Sequence, residues 1–143
     1  MIQHMGKKMR ITNDNITKLN DNQIFVFGSN ESGRHGRGAA KTALKFGAIY
    51  GQARGLQGKT YGIPTVNASV TDKLTLDKVE KYVNEFIEFT KQHEELEFHV
   101  TEIGCGLAGF TVKEIAPLFK EALTLENVYL PLRFIRKILG ETI

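Results

Sequence analysis

Two apolar runs in this chain end abruptly in glycine-rich segments that lead toward helix-forming sequence. That repeated pattern limits the fold more than any other feature. Gln23 to Phe27 (QIFVF) is β-branched and aromatic without polar alternation, as in a strand buried on both faces. It is expected to break at Gly28, where a loop begins that runs through Gly33, Gly36 and Gly38 (GSNESGRHGRGAA). Leu96 to Ile103 is a second candidate strand and feeds straight into Gly104 (IGCGLAGF). Strict alternation along it puts Leu96, Phe98, Val100 and Glu102 on one face, with His99 and Ile103 on the other. Strands alternating with helices call for a sheet covered on both faces, so the expected fold class is α/β with a mixed or parallel sheet.

The remaining elements follow from period and punctuation. Met9 to Thr12 is a short candidate strand. Ala39 to Phe46 has helix-forming composition and ends at Gly47, in the place of a C-terminal cap. Ile49 to Ile63, with glycines at 51, 55 and 58, reads as a hairpin or bulged strand pair closed by Pro64. Thr75 is the expected N-cap of a helix in which Leu76, Val79, Val83, Phe86 and Thr90 recur at helical spacing. Thr111 and Glu114 form a capping box, opening a helix with Ile115, Leu118 and Ala122 on one face and a kink expected at Pro117. Asn127 to Leu130 is a last short strand, and Arg133 to Leu139 a terminal helix.

Composition removes several function classes. A net charge of +3 suits an anionic ligand but is too small and dispersed for a DNA-binding surface. The single cysteine, Cys105, excludes an internal disulfide and fits a reducing, cytoplasmic setting. No apolar stretch approaches the roughly 20 residues that cross a bilayer, so no membrane partner is expected. Residues 1–8 read as a flexible arm before a single domain over residues 9–143. No cluster has metal-ligand spacing, and no cofactor is expected.

The two loops carry the chemistry. Ligands of open α/β sheets sit outside the carboxyl ends of strands, where the loops diverge. Glycines let backbone N–H groups converge on an anion, and a following helix N-terminus adds a favourable dipole. Gly36, Gly38, Ala39 and Ala40 in the first loop, and Gly104, Gly106 and Gly109 in the second, leave little side-chain bulk in the way. The competing reading is that both clusters merely make turns. Neither loop is a Walker A motif, since no Gly-Lys-Ser/Thr follows, and the first lacks the spacing of a dinucleotide fingerprint.

Taken in order, NDNITKLNDNQIFVFGSN, GRGAAKTA and IGCGLAGF resemble the macrodomain, or ADP-ribose-binding, superfamily. The second loop is most similar to the branch that removes terminal ADP-ribose from proteins. The resemblance implies a three-layer macrodomain-like fold with a mixed, largely parallel central sheet. It also implies a ligand cleft for ADP-ribose or a related nucleotide between the loops. Asp14 would bind the adenine amino group, with Asn15 following in the same turn. Gly28, Ser29 and Asn30 would end the first strand, Asn30 near the distal ribose. Gly36, Gly38 and Ala39 would approach ribose and phosphate through their backbone. Gly104, Cys105, Gly106, Leu107 and Ala108 would wrap the diphosphate, with Gly109 and Phe110 completing the loop. The family's triple-glycine run is replaced here by RHGRG, which brings Arg34, His35 and Arg37 to the distal half of the site. The branch's lysine nucleophile and loop aspartate are matched by Val66 or Asn67 and by Ala108, so its glycohydrolase route is not expected.

Each reactive candidate has a plainer reading. His35 and Cys105 would make a thiolate nucleophile if paired. The favoured reading is a small packed cysteine and a solvent-exposed histidine, because no third orienting group is evident. Glu102 at a strand's carboxyl end reads as a general base or, more simply, as the partner of a lysine on a covering helix. Arg34 and Arg37 read as phosphate ligands or ordinary exposed arginines. Phe110 and Tyr129 read as base-stacking groups or as core. The leading expectation is a binder of ADP-ribose or a related nucleotide, carried free or on ADP-ribosylated protein. The alternative is a hydrolase of ADP-ribose derivatives by a non-lysine route. A nucleic-acid or protein-interaction module using Arg133, Arg136 and Lys137 ranks last.

Overall fold

The structure, a computed structural model, describes residues 9–140, so the arm expected over residues 1–8 lies outside the described residues. Five strands form one sheet. They are β1 (Gln23–Asn30), β2 (Gly55–Gln57), β3 (Thr60–Val66), β4 (Glu97–Val100) and β5 (Val128–Tyr129). Their order across the sheet is β2-β3-β1-β4-β5, parallel throughout except for the β2–β3 hairpin. Four α-helices join them: α1 (Gly38–Ala43), α2 (Leu76–Lys91), α3 (Val112–Ile115) and α4 (Leu132–Ile138).

β1 is the centre of the molecule because its side chains are apolar on both faces. Ile24 and Val26 enter the larger core with Val79, Val83 and Phe86 of α2 and with Phe119 and Phe134. Phe25 and Phe27 point the other way and pack with Ala40 and Ala43 of α1, with Phe46 beside them. Three layers result, with α2, α3 and α4 on one side of the sheet and α1 on the other. Each fully buried Phe or Val contributes about 1.5–3 kcal/mol by leaving water. On α2, Val79, Val83, Phe86 and Thr90 are buried as the periodicity required, whereas Leu76 in the first turn stays exposed, and Thr75 caps the helix by accepting from the Lys78 N–H. Thr111 and Glu114 form the expected capping box. Gly47 ends the first helical segment at φ 102°.

Several boundaries differ from expectation. Met9 to Thr12 forms no strand and contributes a single bridge, Ile11 to Leu130. β1 does not break at Gly28. It runs on to Asn30, because β3 continues beside it with Gly28 opposite Ile63 and Ser29 opposite Pro64. Pro64 therefore lies inside β3 rather than closing it. β2 starts at Gly55 opposite Gly62 and runs back toward Thr60, so β3 has no β2 neighbour at Pro64 and tolerates the missing donor. β4 stops at Val100, where Thr101 begins a tight turn closed by Ile103 N–H donating to the Thr101 carbonyl at 2.7 Å. That turn cancels the alternation, and Ile103 joins Phe98 and Val100 in one core instead of facing away. At Pro117 the helix opened by the capping box tightens into a 3₁₀ segment over Ala116–Thr124.

Candidate functional site

The sheet order determines where a ligand can sit. From β1 the chain passes to β3 on one side, then crosses to β4 on the other, so the direction of winding reverses between β1 and β4. The loops leaving two parallel neighbours at such a point diverge and open a crevice at the carboxyl ends of the strands. Here those loops are the two glycine-rich segments. They touch at their roots, where a Cβ placed on Gly28 would stand 3.3 Å from the Gly104 nitrogen. Farther out they enclose a cleft of about 600 Å³ lined by both loops and by the segment after β3.

The first loop is held from within. The Asn30 side chain accepts from Ser32 Oγ at 2.9 Å and from the Arg34 N–H at 2.8 Å, and donates to the Arg34 carbonyl at 2.8 Å. Ser29 Oγ donates to the Ala53 carbonyl. Both side chains line the cleft, but their polar atoms are largely committed to loop structure. His35 is fully buried, which corrects the expectation that it is solvent-exposed. Its ring meets Phe27 and Tyr50 edge-on. Its Nε2 lies 3.0 Å from the Gln52 carbonyl, which can only accept, so Nε2 carries the proton. Arg34 and Arg37 are exposed, line the cleft, and have no acidic partner within salt-bridge distance among the described residues.

The second loop folds on itself by three bonds. Cys105 N–H donates to Glu102, Gly109 N–H to Gly106, and Phe110 N–H to Gly104. The N–H groups of Gly104, Gly106, Leu107 and Ala108 meet no protein acceptor among the described residues. The same holds in the first loop for Gly36, Arg37, Gly38 and Ala39. With only six residues, α1 adds little dipole, so whatever attraction this region has for an anion would come from these N–H groups themselves. Glycine at 36 and 106 is not required by the fold. Neither has a positive φ, and a Cβ at either would meet nothing within 4 Å.

Of the residues expected at the site, Gly28, Ser29, Asn30, Arg34, Gly36, Arg37, Gly38, Ala39, Gly104, Gly106, Leu107 and Ala108 line the cleft. Asp14 and Asn15 do not. They lie in an exposed turn, where Asn15 N–H donates to the Asn13 side chain. Cys105 and Gly109 are also absent from the lining. Burial, reinforced by the Glu102 carboxylate, pushes the Cys105 thiol up to about 11, the opposite of what a thiolate nucleophile needs. Phe110 is core. It is buried beneath Gly104, and Lys73 stands over its ring at 4.8 Å. Tyr129 stacks on His99 away from the cleft. Glu102 does line the cleft and is paired with Arg133 on α4 at 3.5 Å, so a covering helix supplies its partner as expected, but the partner is an arginine rather than a lysine. Sequence reasoning missed Tyr50, Thr65, Thr101 and the Val70–Lys73 turn, all of which form the cleft wall.

No family model matches this chain, and no curated protein matches it. A solved structure described as a protein of unknown function from Bacteroides thetaiotaomicron is similar, with a TM-score of 0.60 at 18% identity. The likeness covers 90% of this chain and 98% of that one. It supports the three-layer α/β architecture and carries no information about activity. No helix among the described residues is long and apolar enough to cross a membrane.

Proposed function

We propose that the chain binds a nucleotide-like phosphate ligand, ADP-ribose or a relative of it, in the cleft between its two glycine-rich loops. One observation carries this reading: residues whose backbone N–H groups meet no protein acceptor among the described residues line both sides of one crevice at the winding reversal. Arg34 and Arg37, on the same cleft and without an acidic partner among the described residues, add positive charge for a phosphate. A volume of about 600 Å³ is ample for a nucleotide, within the roughly 300–1,000 Å³ range of small-molecule pockets. The macrodomain resemblance of the two loops names ADP-ribose as the first ligand to try, either free or displayed on a modified protein.

Isothermal calorimetry with ADP-ribose, AMP and cyclic dinucleotides tests the reading. Saturable heat from at least one is expected, and no heat from any of them overturns it. The hydrolase alternative retains one candidate on the cleft, Glu102, since His35 is sealed in the core and Cys105 is held protonated. Turnover of ADP-ribosylated protein that disappears in Glu102→Gln would favour it. Tight binding without product favours a reader.

A further inference from the structure

Eight large apolar side chains stand exposed among the described residues, and three of them, Tyr50, Val70 and Leu107, line the same cleft. Exposed apolar groups scattered singly need no explanation, whereas convergence of three on one concave site does. They come from unrelated segments, one before β2, one after β3 and one after β4.

Tyr50 is 63% exposed yet anchored, with its ring set against buried His35 at 6.2 Å and 71°. Leu107 is 70% exposed at the tip of the second loop and reaches over to the first. A Cβ on Gly38 would lie 3.4 Å from its Cδ1. Val70 is the clearest signal. It is the sole non-glycine residue at positive φ (58°) among those described. A β-branched side chain is strongly disfavoured there. Its turn is fastened by Asn67, whose side-chain oxygen accepts from the Thr71 N–H at 2.9 Å and whose carbonyl accepts from the Val70 N–H at 3.0 Å. Glycine or asparagine would make that turn without strain, so the turn alone gives no reason for valine. Strained residues of this kind gather at ligand contacts.

We propose that Tyr50, Val70 and Leu107 form an apolar clamp for the planar base of a phosphorylated ligand whose phosphates lie on the loop amides. This rests on the nucleotide reading and gives it a direction. Tyrosine offers a stacking face that any base can use, and the two aliphatic side chains cover a flat uncharged surface. The amides and arginines satisfy the charged end. A sugar phosphate or pyrophosphate would satisfy only the second half, so the matching class is a nucleoside phosphate. Asp14, where the macrodomain resemblance would put the base, is not part of this cleft.

Calorimetry with ribose 5-phosphate, AMP and ADP-ribose on the wild-type chain, Tyr50→Ala, Leu107→Ala, Val70→Gly and Asp14→Ala tests the clamp. AMP and ADP-ribose should bind about fivefold to a hundredfold more weakly to Tyr50→Ala. Both should also weaken in Leu107→Ala and Val70→Gly, while ribose 5-phosphate changes less than about twofold, since it has no base to lose. Asp14→Ala should bind as the wild type does, and Val70→Gly should melt no lower than it. Tyr50 and Leu107 are exposed, so loss of folding would not confuse those variants. Unchanged AMP affinity in both, or a loss confined to Asp14→Ala, overturns the clamp and leaves the nucleotide reading standing. Absence of binding to the wild-type chain by all three ligands overturns the clamp, and the nucleotide reading falls with it when cyclic dinucleotides also give no heat.

Discussion

Gly106→Ala and Gly33→Ala separate the two reasons for which these loops hold glycine. At Gly106 φ is not positive and a new Cβ meets nothing within 4 Å. Alanine there adds no strain and narrows the freedom of the unfolded chain, stabilising the fold by about 0.4–1 kcal/mol. The melting temperature should rise by roughly 1–5 °C. The same methyl stands on the cleft where a ligand must approach backbone, so nucleotide affinity should fall about tenfold or more, or about 1.4 kcal/mol. Gly33 is the opposite case. Its φ is +73°, and a Cβ would lie 2.5 Å from the Gly51 carbonyl carbon and 2.6 Å from the Gln52 nitrogen, backbone atoms with little room to move. Left-handed strain of about 1–2 kcal/mol and overpacking of about 1–3 kcal/mol together cost about 2–5 kcal/mol. Thermal melting followed by circular dichroism, with calorimetry on ADP-ribose, reads both effects. A Gly106→Ala variant that binds like the wild type would refute close backbone approach, and a Gly33→Ala variant that melts like it would refute the loop geometry.

Other outcomes follow from single residues. His35→Ala should lose about 3 kcal/mol in chemical denaturation, since it empties a fully buried site and removes the Nε2–H bond to Gln52. An unchanged midpoint would contradict the burial. Cys105→Ser should leave nucleotide binding unchanged, and alkylation of Cys105 by iodoacetamide should stay slow at neutral pH and accelerate toward pH 11. Rapid labelling at pH 7 would count against a raised thiol pKa. Glu31 accepts hydrogen bonds from Lys78 and from Tyr82, which hold its carboxyl below the ordinary value of 4.5 in the folded chain. Because the folded value is the lower one, the stabilisation is present above pH 4.5 and fades as pH falls through the folded value. Wild type should therefore exceed Glu31→Gln in stability at pH 7, with the gap closing in acid. A gap that widens in acid would reverse the sign.

The fold was legible wherever local chemistry and tertiary packing agreed. QIFVF could only be a doubly covered strand, and Thr75 and the Thr111–Glu114 box marked helix starts that no tertiary contact overrides. The errors fall where a neighbour decides. Gly28 and Pro64 look like strand breakers in isolation, yet each continues a strand because the other's strand runs alongside. Leu96–Ile103 looks like eight residues of alternation, but one turn at Thr101 returns Ile103 to the core. In the site, glycines announced both loops. Tyr50 and Val70 were illegible because they reach the cleft from irregular connections that carry no period. His35 was misjudged because its burial depends on Gln52 and Gln57, far along the chain and neutral in themselves.

Amide chemical shifts of ¹⁵N-labelled protein during titration with ADP-ribose give the most direct view of the central claim. Saturable shifts at the same midpoint are expected for Gly36–Ala39 and for Gly104–Ala108, with Asp14 and Asn15 unmoved. Shifts confined to one loop, or midpoints that differ between the two, would contradict a shared pocket.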